Sequence, residues 1–471
     1  MTKKRRTLLF FACLFSFLVI APAIVLYSQG YRLDLKNRTV TKTGAFYVKV
    51  SPKSCDVLIN GKLKTKTDFF FGSDLIENLV PGAYLMEIKK EGYIPWQKTL
   101  KIKAMMTTEA KNVILFPQNL NFQTKTGSVE KIFPAPSNRK MILEKKDSQG
   151  WYLTSFDIKN NLEEVLVLEK DFNSGQSARY TDSYKKKLVS SLSDLILSAD
   201  SKKAIVKIAL GETEKFFLID TENKTNPILL DPLGSFEKIS FHDNDNAKFF
   251  ILKDGILYSG DFSTLKTVKL AEKIIDFNSN NNELYFLDNA GFIFRVDDLA
   301  NLPGQKLVET PFTIALEVPY ELEILGRNVF LKQENGLFWL DEKIKEFTEI
   351  AKNVSSFIIS QDNGKLAYFN NTEISVYFFK EKIEQIEERP DQNILLARFS
   401  ERIGQAFWLN NDYLIFTVGN ELKTVEVDNR DQPNIADLAE FNSPQIYFNK
   451  ENKKALVLTE GNLLISNQIL P

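Results

Sequence analysis

A repeated turn signal dominates the sequence after Pro117. Glycines flanked by apolar or aromatic segments recur at spacings of 35 to 61 residues, with Asn371 filling one gap. A four-stranded blade cannot bury both of its faces alone, so a repeat near forty residues is typical of stacked propeller blades. Eight turn positions favour eight blades. Because the first spacing is long and irregular, a seven-bladed propeller is the alternative. The repeated glycines are Gly150, Gly211, Gly255, Gly291, Gly336, Gly419 and Gly461.

The last repeat lacks an outer strand. It ends soon after Leu463-Leu464-Ile465, which is too early for a fourth strand. A propeller needs every blade edge paired or covered, because an open edge exposes unpaired backbone groups. We therefore expect the segment near Asn119 to Thr124 to close the ring.

A second set of turns recurs with the same period as the first. The segments Ser198–Val206 and Ser360–Tyr368 each place a polar turn before an apolar strand. Both resemble the strand-turn-strand motif of TolB-like propellers. The resemblance implies a β-propeller over residues 118–471.

The N-terminal segment predicts a membrane span. Leu8 to Tyr27 carries no charge and is long enough, at roughly 20 residues, to cross a bilayer as a helix. The preceding cluster Lys3-Lys4-Arg5-Arg6 favours a cytoplasmic N-terminus over residues 1–7. A cleaved signal peptide is the alternative, because Ala21-Pro22-Ala23 is similar to a cleavage site. We expect an uncleaved signal anchor over 8–27, then a polar stalk over 28–43.

After Gly44 the apolar residues recur with a period of two. Phe46, Val48 and Val50 share one face, and Asn60-Gly61 is a strong hairpin signal. We expect a small sandwich of short antiparallel strands, the last over Val113–Phe116.

The same segment resembles the PEGA domain. Gly44–Pro52, Val57–Lys62, Leu79–Tyr84 and Lys90–Tyr93 look like the successive motifs of that family, in order. The tetrapeptide that names the family departs here, since Pro52–Cys55 keeps only its proline. The resemblance covers about 44–117 and implies an extracytoplasmic binding or spacer module without catalytic residues.

Linear catalytic and metal motifs are absent from the sequence. It contains no G-x-S-x-G, phosphate loop, dinucleotide fingerprint or C-x-x-C, and His242 is its only histidine. The run around His242 superficially resembles a calcium loop but lacks the required glycine and terminal glutamate, so a hairpin turn is expected. Cys13 lies in the apolar stretch, so Cys55 has no intramolecular disulfide partner. The sequence therefore predicts no catalytic, cofactor or metal site.

Two irregular segments interrupt the repeat. Asp171 to Lys187 lengthens the first spacing, and long loops on rigid scaffolds often bind ligands. Tyr180 and Tyr184 in this loop are the candidate binding residues, against the alternative of a solvated excursion with a lysine run. The acidic segment Glu381–Asp391 is interpreted as a connection between blades.

The sequence predicts a mainly β, single-pass membrane protein with its bulk at the cell surface or in a periplasm. A net charge of −1 gives no general attraction to nucleic acid. We expect a non-catalytic protein that binds an envelope protein or a glycan through the propeller. A hydrolase is the alternative, because two carboxylates can converge from separate blades without a linear motif. Transmembrane signalling is the least favoured hypothesis, because few residues precede the span.

Overall fold

The N-terminal region is a long helix followed by a short hairpin. A computed structural model describes residues 3–34, 38–136, 139–173, 190–315, 317–379, 382–383, 387–388 and 391–470. Helix α1 covers Lys3–Ser28, and its segment from Arg5 to Ser28 is exposed and long and apolar enough to cross a membrane. Strands β1 (Tyr31–Asp34) and β2 (Thr39–Lys42) pair where a stalk is predicted.

Seven strands then form two sheets around one hydrophobic core. The sheets have the orders β6-β3-β9 and β5-β4-β7-β8. Phe46, Val48 and Val50 alternate into the core, as predicted. The strands are β3 (Gly44–Ser51), β4 (Asp56–Ile59), β5 (Lys62–Lys66), β6 (Ser73–Leu79), β7 (Gly82–Lys89), β8 (Trp96–Ile102) and β9 (Thr107–Ile114).

The expected last strand of this sandwich needs correction. Strand β9 starts at Thr107 rather than Val113, and it runs parallel to β3 instead of antiparallel. The chain leaves β8 in one sheet and enters β9 in the other, so the two strands are not a hairpin of one sheet. The polar start of β9 hides this crossing from a pattern of alternating apolar residues.

The rest of the described chain contains eight four-stranded sheets, which are the blades. In each blade we label the strands A to D in order across the sheet. Blade 1 has Val129–Pro134, Lys140–Asp147, Gly150–Asp157 and Leu162–Leu168; blade 2 has Ser190–Leu197, Lys203–Leu210, Thr213–Asp220 and Ile228–Leu229; blade 3 has Lys238–His242, Asp245–Lys253, Ile256–Asp261 and Lys266–Glu272; blade 4 has Ile274–Asn280, Glu283–Asp288, Ile293–Val296 and Gln305–Lys306.

The second half of the propeller repeats this pattern. Blade 5 has Tyr320–Leu325, Asn328–Gln333, Gly336–Asp341 and Glu346–Ala351; blade 6 has Ser356–Ile359, Lys365–Phe369, Glu373–Phe378 and Asn393–Arg398; blade 7 has Ile403–Trp408, Tyr413–Val418, Glu421–Glu426 and Ile435–Glu440; blade 8 has Gln445–Asn449, Lys454–Thr459 and Asn462–Gln468. Short 3-10 helices cover Glu169–Asn173, Asp231–Leu233 and Leu299–Asn301.

Strand β10 (Phe122–Thr126) closes the ring as predicted. It pairs antiparallel with strand C of blade 8 and supplies that blade's missing strand D. Every neighbouring pair of blades shares a buried apolar cluster, and Tyr447 and Leu456 of blade 8 pack with Met141 and Leu143 of blade 1. The ring therefore has eight blades.

The repeated turns fall at equivalent places in the blades. All eight predicted turn positions lie between strands B and C, and the second set lies between strands A and B. The acidic segment Glu381–Asp391 does not connect two blades, which corrects its interpretation. It joins strands C and D within blade 6 and carries the small hairpin Lys382–Ile383 with Glu387–Glu388. The regular spacing of the turns could not reveal this, because an insertion can enter any turn of a blade.

Candidate functional site

The propeller has two unequal end faces. Because successive strands are antiparallel, the A–B and C–D connections lie at one end of the blades, here the AB face. The B–C turns and the connections between blades lie at the other end, the BC face. Six hydrogen bonds join the sandwich to the AB end of blade 7, at Tyr413 and at residues 426–434. The sandwich thus leaves the BC face uncovered.

A buried ion-pair cluster holds this junction. The Lys98 side chain is fully buried and pairs with Glu426, and its Nζ lies 3.3 Å from Asp428 Oδ2. Trp96 Nε1 donates to Glu426 Oε2 at 2.7 Å. Burial opposes ionisation of Asp428, but hydrogen bonds from Arg430 and the Lys98 charge lower its pKa. The Asp428 carboxylate stays charged, so the junction is a paired, desolvated contact.

The first candidate site is a polar cleft on the BC face between blades 5 and 6. Two adjoining cavities of about 280 and 410 Å³ share Asn353 and Asn370 in their walls. Asn370 is held by its neighbours: its Oδ1 accepts from the backbone N–H of Thr372 and Glu373, and its Nδ2 donates to Glu373 Oε2 at 3.0 Å. The cleft is further lined by Asn335, Ser355, Asn371, Tyr368, Ser375 and Asn393.

Three amides of this cleft are available to a ligand. Asn335, Asn353 and Asn371 are exposed, and their side chains make no hydrogen bond to the rest of the described chain. An amide offers two donors and one acceptor oxygen, so it suits hydroxyl or peptide groups. Tyr368 adds an aromatic ring, fixed by its hydroxyl donating to Asn393 Oδ1 at 2.7 Å. The cleft can therefore recognise a polar, uncharged ligand.

The second candidate site is a charged cluster where three blades converge. The A strands of neighbouring blades approach one another, so they line the propeller axis. On these strands Lys238 Nζ lies 2.8 Å from Asp276 Oδ1, and Asp276 Oδ2 accepts the backbone N–H of Leu322 at 2.7 Å. Asn278 Nδ2 donates to Leu322 O at 2.9 Å. We call Lys238, Asp276, Asn278, Glu321 and Glu323 the axial cluster.

Glu323 is the perturbed acid of the axial cluster. Burial raises its pKa to about 7, and the carboxylates of Glu321 and Asp276 add to the effect, while Lys238 opposes it. Asp276 and Glu323 belong to different blades, so two carboxylates from separate blades do come together in this cluster. Among the described residues no group of His, Cys, Asp and Glu side chains could hold a metal ion.

Sequence reasoning missed both candidate sites. Tyr180 and Tyr184 lie outside the described residues, so their role as binding residues stays a prediction. A signal for the axial cluster does exist: Lys238, Asp276 and Glu321 each lie five residues before an A–B turn. Aligning the repeats on those turns would have put three charged side chains at one level of the axis. The Asn-lined cleft has no such signal, because it joins turns from different repeats.

Comparisons with known proteins find β-propeller structures. No family model and no curated protein matches the chain. Among solved structures, the C-terminal WD40 domain of Sif2 is 10% identical and the match covers 74% of this chain and 98% of that one, with a TM-score of 0.44. The Dos1 propeller is 16% identical over 74% and 94%, with a TM-score of 0.47. The Cps50 (Swd1) β-propeller domain of Myceliophteria_thermophila is 12% identical over 74% and 99%, with a TM-score of 0.41. These similarities carry no argument about function, and the propeller assignment follows from the eight sheets.

Proposed function

We propose that this protein is a membrane-anchored, extracytoplasmic binding protein of the cell envelope. Helix α1 is its signal anchor over 8–27, with 1–7 in the cytoplasm and the PEGA-like sandwich over 44–117. The propeller over 118–471 presents its BC face to another envelope protein or to a glycan. The observation that carries the proposal is the uncovered BC face, where unpartnered asparagine amides line a cleft.

The cleft favours neutral polar groups over charged ligands. Its walls carry amides, hydroxyls and one tyrosine ring, while Glu373 is already engaged by Asn370 and Arg398. The exposed Lys352 at the wall lies 3.9 Å, through its Nζ, from Glu349 Oε1. Peptide bonds and sugar hydroxyls both match this lining, because each pairs a donor with an acceptor. A ligand that excludes water from the cleft without matching these amides would leave them unpaired, and that cost provides the discrimination.

Capture on intact cells tests location and face together. In the full chain, Asn371→Cys places a thiol in the cleft, and Asn301→Cys places a matched exposed thiol on the AB face. Cys55 is buried and Cys13 lies within α1, so they compete little for a polar reagent. A membrane-impermeant benzophenone-maleimide is applied to intact cells, after outer-membrane permeabilisation where one exists, and then irradiated.

The proposal predicts that both thiols are labelled without lysis and that only the position 371 probe forms adducts. A glycan array with the purified chain then separates sugar from protein binding. Labelling only after lysis would contradict the extracytoplasmic location. Equal capture from both positions would contradict a binding role for the BC face.

Hydrolysis at the axial cluster is the second candidate function. The observation in its favour is the raised pKa of Glu323 beside Asp276 from the next blade. The same residues also serve the architecture, because Asp276 and Asn278 bond the backbone of blade 5. Turnover of a glycan or peptide by the purified chain, lost in Glu323→Gln, would establish this function and overturn the non-catalytic one.

A further inference from the structure

An apolar edge projects from the sandwich into solvent. Phe69, Phe70 and Phe71, in the loop between β5 and β6, are 74%, 74% and 75% exposed. Leu63 on β5 and Leu75 on β6 extend the same edge and are 65% and 47% exposed. We call these five residues the phenylalanine edge. A contiguous exposed apolar patch of this kind marks an interaction site.

The loop holds these rings outward through a fixed backbone. The Asp68 carboxylate accepts backbone N–H groups from Phe70 at 2.8 Å, Phe71 at 2.6 Å and Ser73 at 2.9 Å. Those bonds, the one from Phe71 foremost, lower the Asp68 pKa. Gly72 completes the turn with a φ of 69°, and a Cβ there would lie 2.5 Å from Val50 O. The hydrogen bonds to Asp68 and the turn at Gly72 thus fix the backbone that exposes the three rings.

The edge lies opposite the propeller. Strands β5 and β6 are edge strands of their sheets, and the opposite edges are β8 and β9. Propeller residues form hydrogen bonds with that opposite side, at Trp96, Lys98 and Thr99 on β8 and at Glu109 and Ile114 on β9. The sandwich therefore separates the propeller from the phenylalanine edge.

The edge also lies close to the end of α1. Arg32, just beyond α1, donates through Nη2 to Asn78 Oδ1 at 2.7 Å. Asn78 and Ser73 are on the same strand β6, five residues and so roughly 17 Å apart. One strand therefore runs from the exit of α1 to the phenylalanine loop.

Basic side chains flank the apolar rings. Lys62, Lys64 and Lys66 are exposed on β5, the strand that leads into the loop. Aromatic rings next to lysines are the chemistry that binds an anionic lipid surface, since the rings enter the acyl boundary and the ammonium groups meet phosphates.

From this geometry we infer that the phenylalanine edge inserts into the extracytoplasmic leaflet of the bilayer that α1 crosses, at anionic phospholipids. The inference rests on the proposed membrane attachment of α1. The sandwich then lies on its β5/β6 edge, and the propeller is held on the far side of the sandwich from the lipid. Phe69–Phe71 supply the inserted area, while the β5 lysines select phospholipids of negative charge.

Depth-dependent quenching in nanodiscs tests the inference on the full chain. Phe70→Cys, in a Cys13→Ser background, carries a bimane dye and is reconstituted in phosphatidylcholine with one-third phosphatidylglycerol. Doxyl groups near the lipid headgroup act as quenchers. The matched control is Val268→Cys, a 67% exposed apolar position on strand D of blade 3. Quenching should be roughly threefold stronger at position 70 than at position 268, and weaker in phosphatidylcholine alone.

Labelling native Cys13 with the same dye in the same discs distinguishes the proposed membrane anchor from the proposed insertion of the phenylalanine edge. Quenching at position 13 without quenching at position 70 leaves the anchor intact and overturns the insertion. Absence of quenching at both positions overturns the anchor as well. Excimer emission from pyrene at position 70 would show a second copy of the chain on this edge and would also overturn the insertion.

Discussion

Single side chains tie the propeller axis together. Gln405 Oε1 on blade 7 accepts the backbone N–H of Ile446 on blade 8 at 2.7 Å. Lys131 Nζ on blade 1 donates to Leu192 O on blade 2 at 2.8 Å. The axial cluster uses the same device between blades 4 and 5, where Asp276 Oδ2 accepts the backbone N–H of Leu322, and burial raises the pKa of the neighbouring Glu323 to about 7. Its titration therefore links the stability of the ring to pH.

Glu323→Gln should remove this pH dependence. The folded pKa is raised from 4.5 to about 7, so the folded chain keeps a proton that the unfolded chain releases over that range. The free energy of unfolding from this group then falls as pH rises from 4.5 to 7 and is constant above it. The variant mimics the protonated acid. Its free energy of unfolding, relative to that of the native chain, should therefore rise by about 2 to 3 kcal/mol over this pH range.

Urea unfolding at the two ends of the window measures this gain. Glu349→Gln is the control, an exposed carboxylate on strand D of the same blade. Its difference from the native chain should stay constant with pH. An equally constant difference for Glu323→Gln would show that this acid ionises as freely in the fold as in the unfolded chain.

At the scale of strands and turns, the sequence predicts what depends on local chemistry. Gly255 and Gly461 adopt left-handed conformations in B–C turns, and the alternation around Val48 predicts a buried strand face. The closing strand is predictable because an unfinished last repeat needs a partner. Features formed between distant segments are not: Trp96 and Lys98 contact residues 330 positions away, so nothing near them signals their burial. The parallel pairing of β9 and the Asn-lined cleft could not be predicted from the sequence for the same reason.

Strand β10 should control closure of the ring. Of any two consecutive N–H groups in a strand, one faces the partner strand, so Gln123→Pro with Thr124→Pro must remove at least one hydrogen bond to strand C of blade 8. The free edge of blade 8 then weakens its packing against blades 7 and 1. We expect global unfolding to become easier by roughly 3 kcal/mol or more.

Hydrogen exchange distinguishes closure from a local defect. The matched variant carries Thr267→Pro with Val268→Pro in strand D of blade 3, an outer strand that closes nothing. Its faster exchange should stay within blade 3, whereas the β10 variant should lose protection in both blades 8 and 1. A purely local effect in both variants would mean that the blade interfaces alone hold the ring.

At the scale of the whole molecule, the junction fixes how the propeller sits on the sandwich. The contact combines the ion pairs of Lys98 with an apolar part, in which Phe116 packs edge-on to Tyr413 at 5.6 Å. Arg430 Nη1 adds a bond to Glu109 O at 2.8 Å. Fixed pairing of desolvated charges favours one relative orientation, because any other leaves a buried charge unpaired. The BC face is thereby held on the side of the propeller away from the sandwich.

Lys98→Met should loosen the whole assembly. Methionine keeps most of the apolar stem but leaves Glu426 buried without its cation, which should cost about 3 kcal/mol of unfolding free energy. Urea unfolding measures the loss. Lys101→Met is the matched control, because Lys101 lies on the same strand β8 but is exposed, and we expect it to change stability by less than about 0.5 kcal/mol.

Neutralising the orphaned acid should restore part of that loss. In Lys98→Met with Glu426→Gln, the amide oxygen can still accept from Trp96 Nε1, and no buried charge remains at position 426. The double variant should therefore be more stable than Lys98→Met alone, and the double-mutant cycle gives the coupling between the two residues. Equal effects of Lys98→Met and Lys101→Met would mean that the apolar contact of Phe116 with Tyr413 holds the sandwich without help from the ion pairs.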